Sequence, residues 1–238
     1  MLYQDADDQV LEQDIYLDLN EAERVGSSPN VHIVAQIDRF RAGFQGDGNW
    51  TSARRYYVVQ DNDLHRVGSK LVQELGEVDM SDPQTLVDFV QWSVKNFPAD
   101  KYVLILSDHG LGWPGGWSDP SHRGATQSTA PLTTQFGNNL YLMELDQALG
   151  QARAAAGIDK FEVVGLDACL MGQLEVMAAI QPHANYAIAS EEVEPAIGWA
   201  YAGFLSKLVQ NPNMSGADLS RAIVESYIVG DQRIQDPA

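Results

Sequence analysis

A single cysteine, Cys169, stands among the 238 residues, so no disulfide can form within the chain. No Cys/His group has the paired spacing of a zinc site either. Uninterrupted apolar runs stop at five residues, as in Tyr102–Leu106, far below the roughly 20 that span a bilayer. Basic residues are scarce: 15 Lys+Arg face 33 Asp+Glu, a formal net charge of −18. The excess is spread evenly, with 18 acids against 8 bases in residues 1–100 and 15 against 7 in 101–238. Such a surface repels phosphate, making nucleic acid and anionic membranes poor partners, and it attracts cationic substrates. The start carries no basic-then-apolar export segment, and Met1-Leu2-Tyr3 reads as the clipped end of a strand at 2–4. No repeat and no Pro/Ser linker divides the chain.

Apolar residues make up 45% and charged residues 20%, the balance of a globular chain able to bury a core. Strand and helix patterns alternate. A helix is expected at about 9–25, ended by Gly26, followed by a buried strand at Val31–Ile37. Arg54–Gln60 and Leu64–Val67 read as a hairpin across Asp61-Asn-Asp63. Asp82-Pro83 opens a helix to about Phe97, with proline at its first position. Lys101–Ser107 and Phe161–Leu166 are continuous apolar strands, a pattern of strands covered on both faces. Helices are expected at 142–156, 170–181, 199–210 and 215–229, with a strand at Tyr186–Ser190. Buried strands joined by crossover helices give a mostly parallel central sheet with helices on both faces, a three-layer α/β fold. More than 30 residues rich in Gly, Pro, Ser and Thr separate Ser107 from the helix near Leu142, and so long a loop is usually functional.

Sites in open α/β sheets gather at the carboxyl ends of strands. Two strands here end in reactive residues, Ser107-Asp-His109-Gly110 and Leu166-Asp167-Ala-Cys169. A thiolate nucleophile needs an imidazole close in space to exchange protons. Cys169 also opens the expected helix at 170–181, whose amide dipoles would stabilise a thiolate, and Gly110 leaves its backbone N–H free to approach an oxyanion. The plainer readings are a small core hydrophobe for Cys169 and a hydrogen-bonded structural residue for His109. A carboxylate beside a nucleophilic thiol raises the thiol pKa, so Asp167 is either a helix cap, which the residues alone favour, or the partner of a cationic substrate group. Glu191, Glu192 and Glu194 either wall a cationic pocket, bind a metal, or form a solvated loop, and Trp199 and Tyr201 either line that pocket or pack.

Other patterns fail on context. Gly110-Leu-Gly112-Trp-Pro-Gly115 matches a dinucleotide fingerprint but runs into Pro114 and a loop instead of a helix. No nucleophile elbow, P-loop or H-E-x-x-H is present. Asp5/Asp7/Asp8, Asp47-Gly-Asn49 and Asp61-Asn-Asp63 have calcium-like composition without the EF-hand register and read as solvated turns.

The segments Ser107-Asp-His109-Gly110-Leu-Gly-Trp113, Leu166-Asp-Ala-Cys169-Leu-Met171 and Ala189-Ser-Glu-Glu-Val-Glu-Pro195, with Gly198-Trp199, together resemble the clostripain-like cysteine peptidases. That family belongs to a caspase-like clan with the gingipains and legumains. Gln36-Ile-Asp-Arg39, Arg54-Arg-Tyr56 and Gly76-Glu-Val-Asp-Met80 look like the family too. The resemblance implies a caspase-like fold over residues 1–238 as one peptidase domain, truncated at its first strand and its C-terminal part. It implies an endopeptidase in which Cys169 attacks the scissile carbonyl, His109 polarises the substrate or protonates the leaving amine, and Gly110 helps hold the oxyanion. Asp167 would then lie at the base of the specificity pocket and select Arg or Lys, with Glu192, Glu194 and Trp199 around it. The chemistry needs no cofactor, although family members can require calcium. Self-cleavage between the His and Cys segments is another family trait. Of Arg123, Arg153 and Lys160, only Arg123 falls in the long loop, so cleavage is expected after Arg123. The expected partners are peptides or proteins with basic residues, the expected state a monomer, and the expected location secreted or periplasmic, with the bacterial cytoplasm as the alternative. A non-catalytic caspase-like domain used for binding or assembly is the competing reading.

Overall fold

The structure, a computed structural model, describes residues 1–41, 43–120, 138–227 and 229–230. The described elements run β1 (Leu2–Ala6), α1 (Glu12–Glu23), β2 (Val34–Arg39), β3 (Ala53–Tyr57), β4 (Lys70–Gly76), α2 (Pro83–Asn96) and β5 (Val103–Ser107). They continue with β6 (Gly115–Gly116), β7 (Leu140–Tyr141), α3 (Leu142–Ala156), β8 (Phe161–Asp167), α4 (Leu174–Ile180), β9 (Ala184–Ala189), α5 (Tyr201–Gln210) and α6 (Gly216–Ser226). Seven strands form one sheet in the order β4-β3-β2-β1-β5-β8-β9. The five from β2 to β9 are mutually parallel, and β3 and β4 close one edge antiparallel. Strands β6 and β7 form a separate small ribbon.

The period of two along each strand explains the layers. Tyr3, Leu104, Leu106, Val164 and Leu166 pack against Leu86, Phe89 and Val90 of α2, Leu145 and Leu149 of α3, and Val176 and Ile180 of α4. Their alternates Leu2, Ile105 and Val163 face Ile15 and Leu19 of α1, Phe204 of α5, and Leu219 and Ile223 of α6. The central strands therefore bury both faces, as their unbroken apolar runs require. Each large side chain so buried contributes about 1.5–3 kcal/mol. Helix ends follow local chemistry: Asp82 accepts the Gln84 N–H at 2.8 Å with Pro83 behind it, and Ser215 accepts from Asp218 N–H at 3.1 Å. Gly157 closes α3 in the left-handed conformation, φ +71°.

Three expectations need correction. The first strand runs on past 2–4: β1 spans Leu2–Ala6 and pairs on both sides, with β2 and β5, at the centre of the sheet. The partner of β3 is β4 at 70–76, not Leu64–Val67, which carries no strand. Helix α4 begins at Leu174 and not at 170, because Leu170 takes a left-handed φ of +62° and breaks the run.

Candidate active site

The register of β5 on β8 places Ser107 opposite Asp167, so the residues after both strands emerge at one edge. His109, Asp108, Asp167, Cys169 and Glu194 line a single cleft of about 40 Å³ there. Gly110 lies against the other loop so closely that a Cβ would overlap the carbonyl oxygen of Cys169. Any side chain at 110 would force the two loops apart. A larger cavity, about 490 Å³ and lined among others by Met1, Val31, Tyr102 and Met214, opens at the amino ends of the strands, away from Cys169.

No helix terminus stands behind the thiol, since α4 starts five residues later. A backbone amide takes that place: the Glu194 N–H donates to Cys169 Sγ at 3.3 Å, and the Glu194 carbonyl lies 3.8 Å from the same sulfur. The 190–194 segment is held there by Leu170 N–H on the Glu192 carbonyl at 3.1 Å and Gly172 N–H on the Ser190 carbonyl at 2.6 Å. His109 donates from Nε2 to Asp8 Oδ1 at 3.2 Å. That hydrogen bond, with the charges of Asp108 and Asp8 adding to it, raises the His109 pKa, and it lowers that of Asp8 in return.

Under the thiol, Asp167 is almost fully buried. It accepts from the Trp199 N–H at 3.3 Å and from the Tyr201 hydroxyl at 2.8 Å. The helix that follows Cys169 begins at Leu174 with Gln173 as its N-cap, so Asp167 does not cap it. Gly198 makes room at its side: φ is +59°, and a Cβ there would sit 3.2 Å from the Asp167 carboxylate. Glu194 reaches the same place, accepting the Trp199 indole N–H at 3.2 Å while its Oε2 has no partner. Burial first, and then the charge of Asp167, push the Glu194 pKa far above the carboxylate range. Of the remaining candidates, the Glu192 side chain is exposed and stands outside the cleft lining. Trp199 is 2% exposed and packs under Gly165, reaching the site only through its hydrogen bonds to Asp167 and Glu194. Arg123 lies outside the described residues.

A model of the clostripain family matches residues 2–234. The chain belongs to the clostripain family. It is 28% identical over 221 residues to clostripain of Hathewaya histolytica, a match covering 84% of this chain and 40% of that protein. A secreted C11 cysteine protease of Bacteroides thetaiotaomicron, solved with an irreversible peptide inhibitor, superposes with a TM-score of 0.67 at 22% identity, covering 96% of this chain and 56% of that one. An inactive zymogen C11 protease of Parabacteroides distasonis gives a TM-score of 0.68 at 18% identity, covering 96% and 57%. The chain thus spans between two fifths and three fifths of the length of these relatives. The shared architecture is the caspase-like three-layer fold.

Within this clostripain-family edge, two contributors escape a reading of the sequence. Asp8 becomes the partner of His109 only because β1 lies next to β5 in the sheet. Tyr201 donates its hydroxyl to Asp167 at 2.8 Å, and Ser107 Oγ lies 2.8 Å from the same hydroxyl. The acidic stretch at 5–8 is also not a solvated turn, since Asp5 and Asp7 are 0% and 1% exposed. Carboxylate oxygens of Asp7, Glu77 and Asp119 lie within 4.8 Å of one another, a set of hard oxygens that could hold a metal ion.

Proposed function

We propose that this chain is the peptidase core of a cysteine endopeptidase that cleaves after Arg or Lys, acting on extracellular peptide or protein substrates. The observation that carries the reading is the buried Asp167 in the same cleft as Cys169, His109 and Glu194. Burial and mutual repulsion favour a state in which Asp167 and Glu194 hold one proton between them, leaving a single negative charge. One negative charge in a largely buried floor suits one guanidinium or ammonium and leaves an acidic or apolar side chain unpaired.

Cys169 Sγ attacks the scissile carbonyl carbon, forming the S–C bond while the carbonyl electron pair moves to oxygen. Backbone amides, Gly110 among them, meet that oxyanion. His109, whose pKa the Asp8 hydrogen bond raises, gives its proton to the amine as the C–N bond breaks. Water then attacks the thioester carbon and gives a proton back to His109, the S–C bond breaks, and the sulfur leaves as the thiolate with which the cycle began. None of these steps requires a metal. Cleavage of the chain after Arg123 would use the same chemistry on its own loop. No helix among the described residues is long and apolar enough to cross a membrane, and a secreted relative is among the structural matches.

The test is hydrolysis of fluorogenic peptides ending in Arg, Lys, Asp or Leu by wild type and Cys169→Ala. Turnover of the basic pair alone, lost in the variant, is the expected result. Turnover of the Asp or Leu peptide would remove Asp167 from the role of selector, and activity surviving in Cys169→Ala would remove the thiol mechanism.

A further inference from the structure

Leu111, Trp113, Met143 and Leu174 are 41%, 54%, 59% and 81% exposed. Single exposed apolar residues are ordinary on a protein surface, but these four are not scattered. Leu111 and Trp113 belong to the tight turn that follows His109 and Gly110. That turn is closed by Leu111 N–H on the Gly115 carbonyl at 2.8 Å and by Gly115 N–H on the Gly112 carbonyl at 2.9 Å. Gln173, the residue before Leu174, accepts the Trp113 N–H through Oε1 at 3.0 Å. A Cβ on Gly112 would lie 2.2 Å from Gln173 Nε2, so the turn and the entry to α4 are in direct contact. On the other side Leu142, the residue before Met143, donates its N–H to the Pro114 carbonyl at 3.1 Å. Three segments are thus fastened together at the tip of one turn, and each carries an exposed apolar side chain next to the fastening. The result is an apolar patch beside the catalytic histidine of a chain with a net charge of −18.

We infer that Leu111, Trp113 and Leu174, with Met143 at the outer end, form a subsite for a large apolar residue within the first two positions after the scissile bond. The inference rests on the peptidase reading above, because that chemistry decides which part of the substrate passes here. The Arg or Lys side chain goes down toward Asp167 and Glu194, in the cleft under Cys169. His109 gives its proton to the departing amine, so the half of the substrate that carries this amine leaves on the His109 side. The turn that presents Leu111 and Trp113 is the continuation of that same loop. Four side chains are too few for a second copy of the chain, since a stable protein interface takes about 20–30 residues a side. They match one or two residues of an extended peptide. The patch is shallow and open, so it sets a preference among substrates and leaves the basic residue before the cut as the condition for cleavage.

The test uses internally quenched peptides that share one Arg and differ only in the next two residues, Leu-Leu or Ser-Ser. Both pairs are neutral, so the overall charge of the protein does not enter the comparison. An Arg-coumarin amide, which has no residue beyond the cut, runs beside them. Wild type is expected to cut the coumarin amide and to favour Leu-Leu over Ser-Ser by about tenfold in kcat/KM. Trp113→Ala and Leu174→Ala, both at exposed positions, are each expected to lower that ratio about threefold, and the double variant to bring it close to one. Trp113→Phe, which keeps a large apolar ring, is expected to retain most of it. A ratio taken within one preparation is insensitive to the fraction of folded enzyme. Val224→Ala, 65% exposed on α6, is the control and is expected to keep the wild-type ratio. Turnover of the coumarin amide with no preference between the peptides would overturn the subsite and spare the peptidase reading. A preference that survives in the double variant would overturn the assignment to these residues. No turnover of the coumarin amide would overturn the peptidase reading, and the subsite with it.

Discussion

Two acidic groups flank His109 on the same edge of the sheet, and they are built differently. Below Cys169, Asp167 and Glu194 are surrounded by donors: the Trp199 amide and indole and the Tyr201 hydroxyl. On the other side, Asp5 and Asp38 each keep a buried oxygen that no donor reaches. The first group is a floor with fixed hydrogen bonds and limited charge, suited to an organic cation presented by a peptide. The second concentrates negative charge from four segments with little neutral support. The difference shows that in an acidic protein the number of carboxylates says less than the donors around them.

The largest effect belongs to the thiol that the first group serves. Cys169→Ala should lower kcat by roughly 10⁴ or more against an Arg peptide, read by single-turnover hydrolysis. Asp167→Asn separates the two groups most sharply. Losing a desolvated charge that pairs with the substrate should cost about 10²–10³-fold in kcat/KM on Arg peptides with the fold intact, as checked by kinetics and circular dichroism. Asp8 sits between them. Asp8→Asn should lower kcat about 10–100-fold, and its pH profile carries the diagnostic sign. The hydrogen bond to Asp8 raises the His109 pKa, so the proton donor survives to higher pH in wild type; in the variant the alkaline fall of kcat should move to lower pH. A profile that only scales down without moving would make Asp8 a structural residue.

The smallest effect is on stability and concerns an acid in neither group. Glu23 is 1% exposed, and burial pushes its pKa up to about 7 although Ser69 N–H donates to it at 2.6 Å. Its stability contribution is complete below the ordinary glutamate pKa and is lost as pH rises through about 7. Glu23→Gln keeps the acceptor and removes that loss, so it should be more stable than wild type by about 2 kcal/mol at pH 8, with the difference vanishing near pH 4, as read by urea unfolding.

How far these features can be read in advance depends on whether they are local. Strands β5 and β8 are legible because burial on both faces demands unbroken apolar runs, and α2 because Asp82-Pro83 carries its own start signal. Strand β4 escapes because it is a solvent-facing edge: Lys70, Gln73 and Glu74 guard it against further pairing, and no apolar alternation remains to mark it. The helix expected at Cys169 fails on Leu170, an apolar residue in a conformation that its side chain disfavours. His109, Cys169 and Asp167 are legible as strand-end residues. Asp8 and Tyr201 are not, because their roles depend on which strands and helices are neighbours across the sheet, a property of the topology that no window of sequence contains.

The β5–β8 pairing has a topological consequence. A cut after Arg123 falls between these two strands in the chain, while in space they share a five-residue parallel ladder at the middle of the sheet. Cleavage would therefore divide ownership of the edge: one polypeptide would carry β4 through β5 with His109, the other β8 and β9 with Cys169. Neither fragment could hold the dyad alone, yet the ladder and both helical layers would keep them seated together. Such a molecule would run as two bands when denatured and as one body when native, and its activity would become a property of the association between two polypeptides.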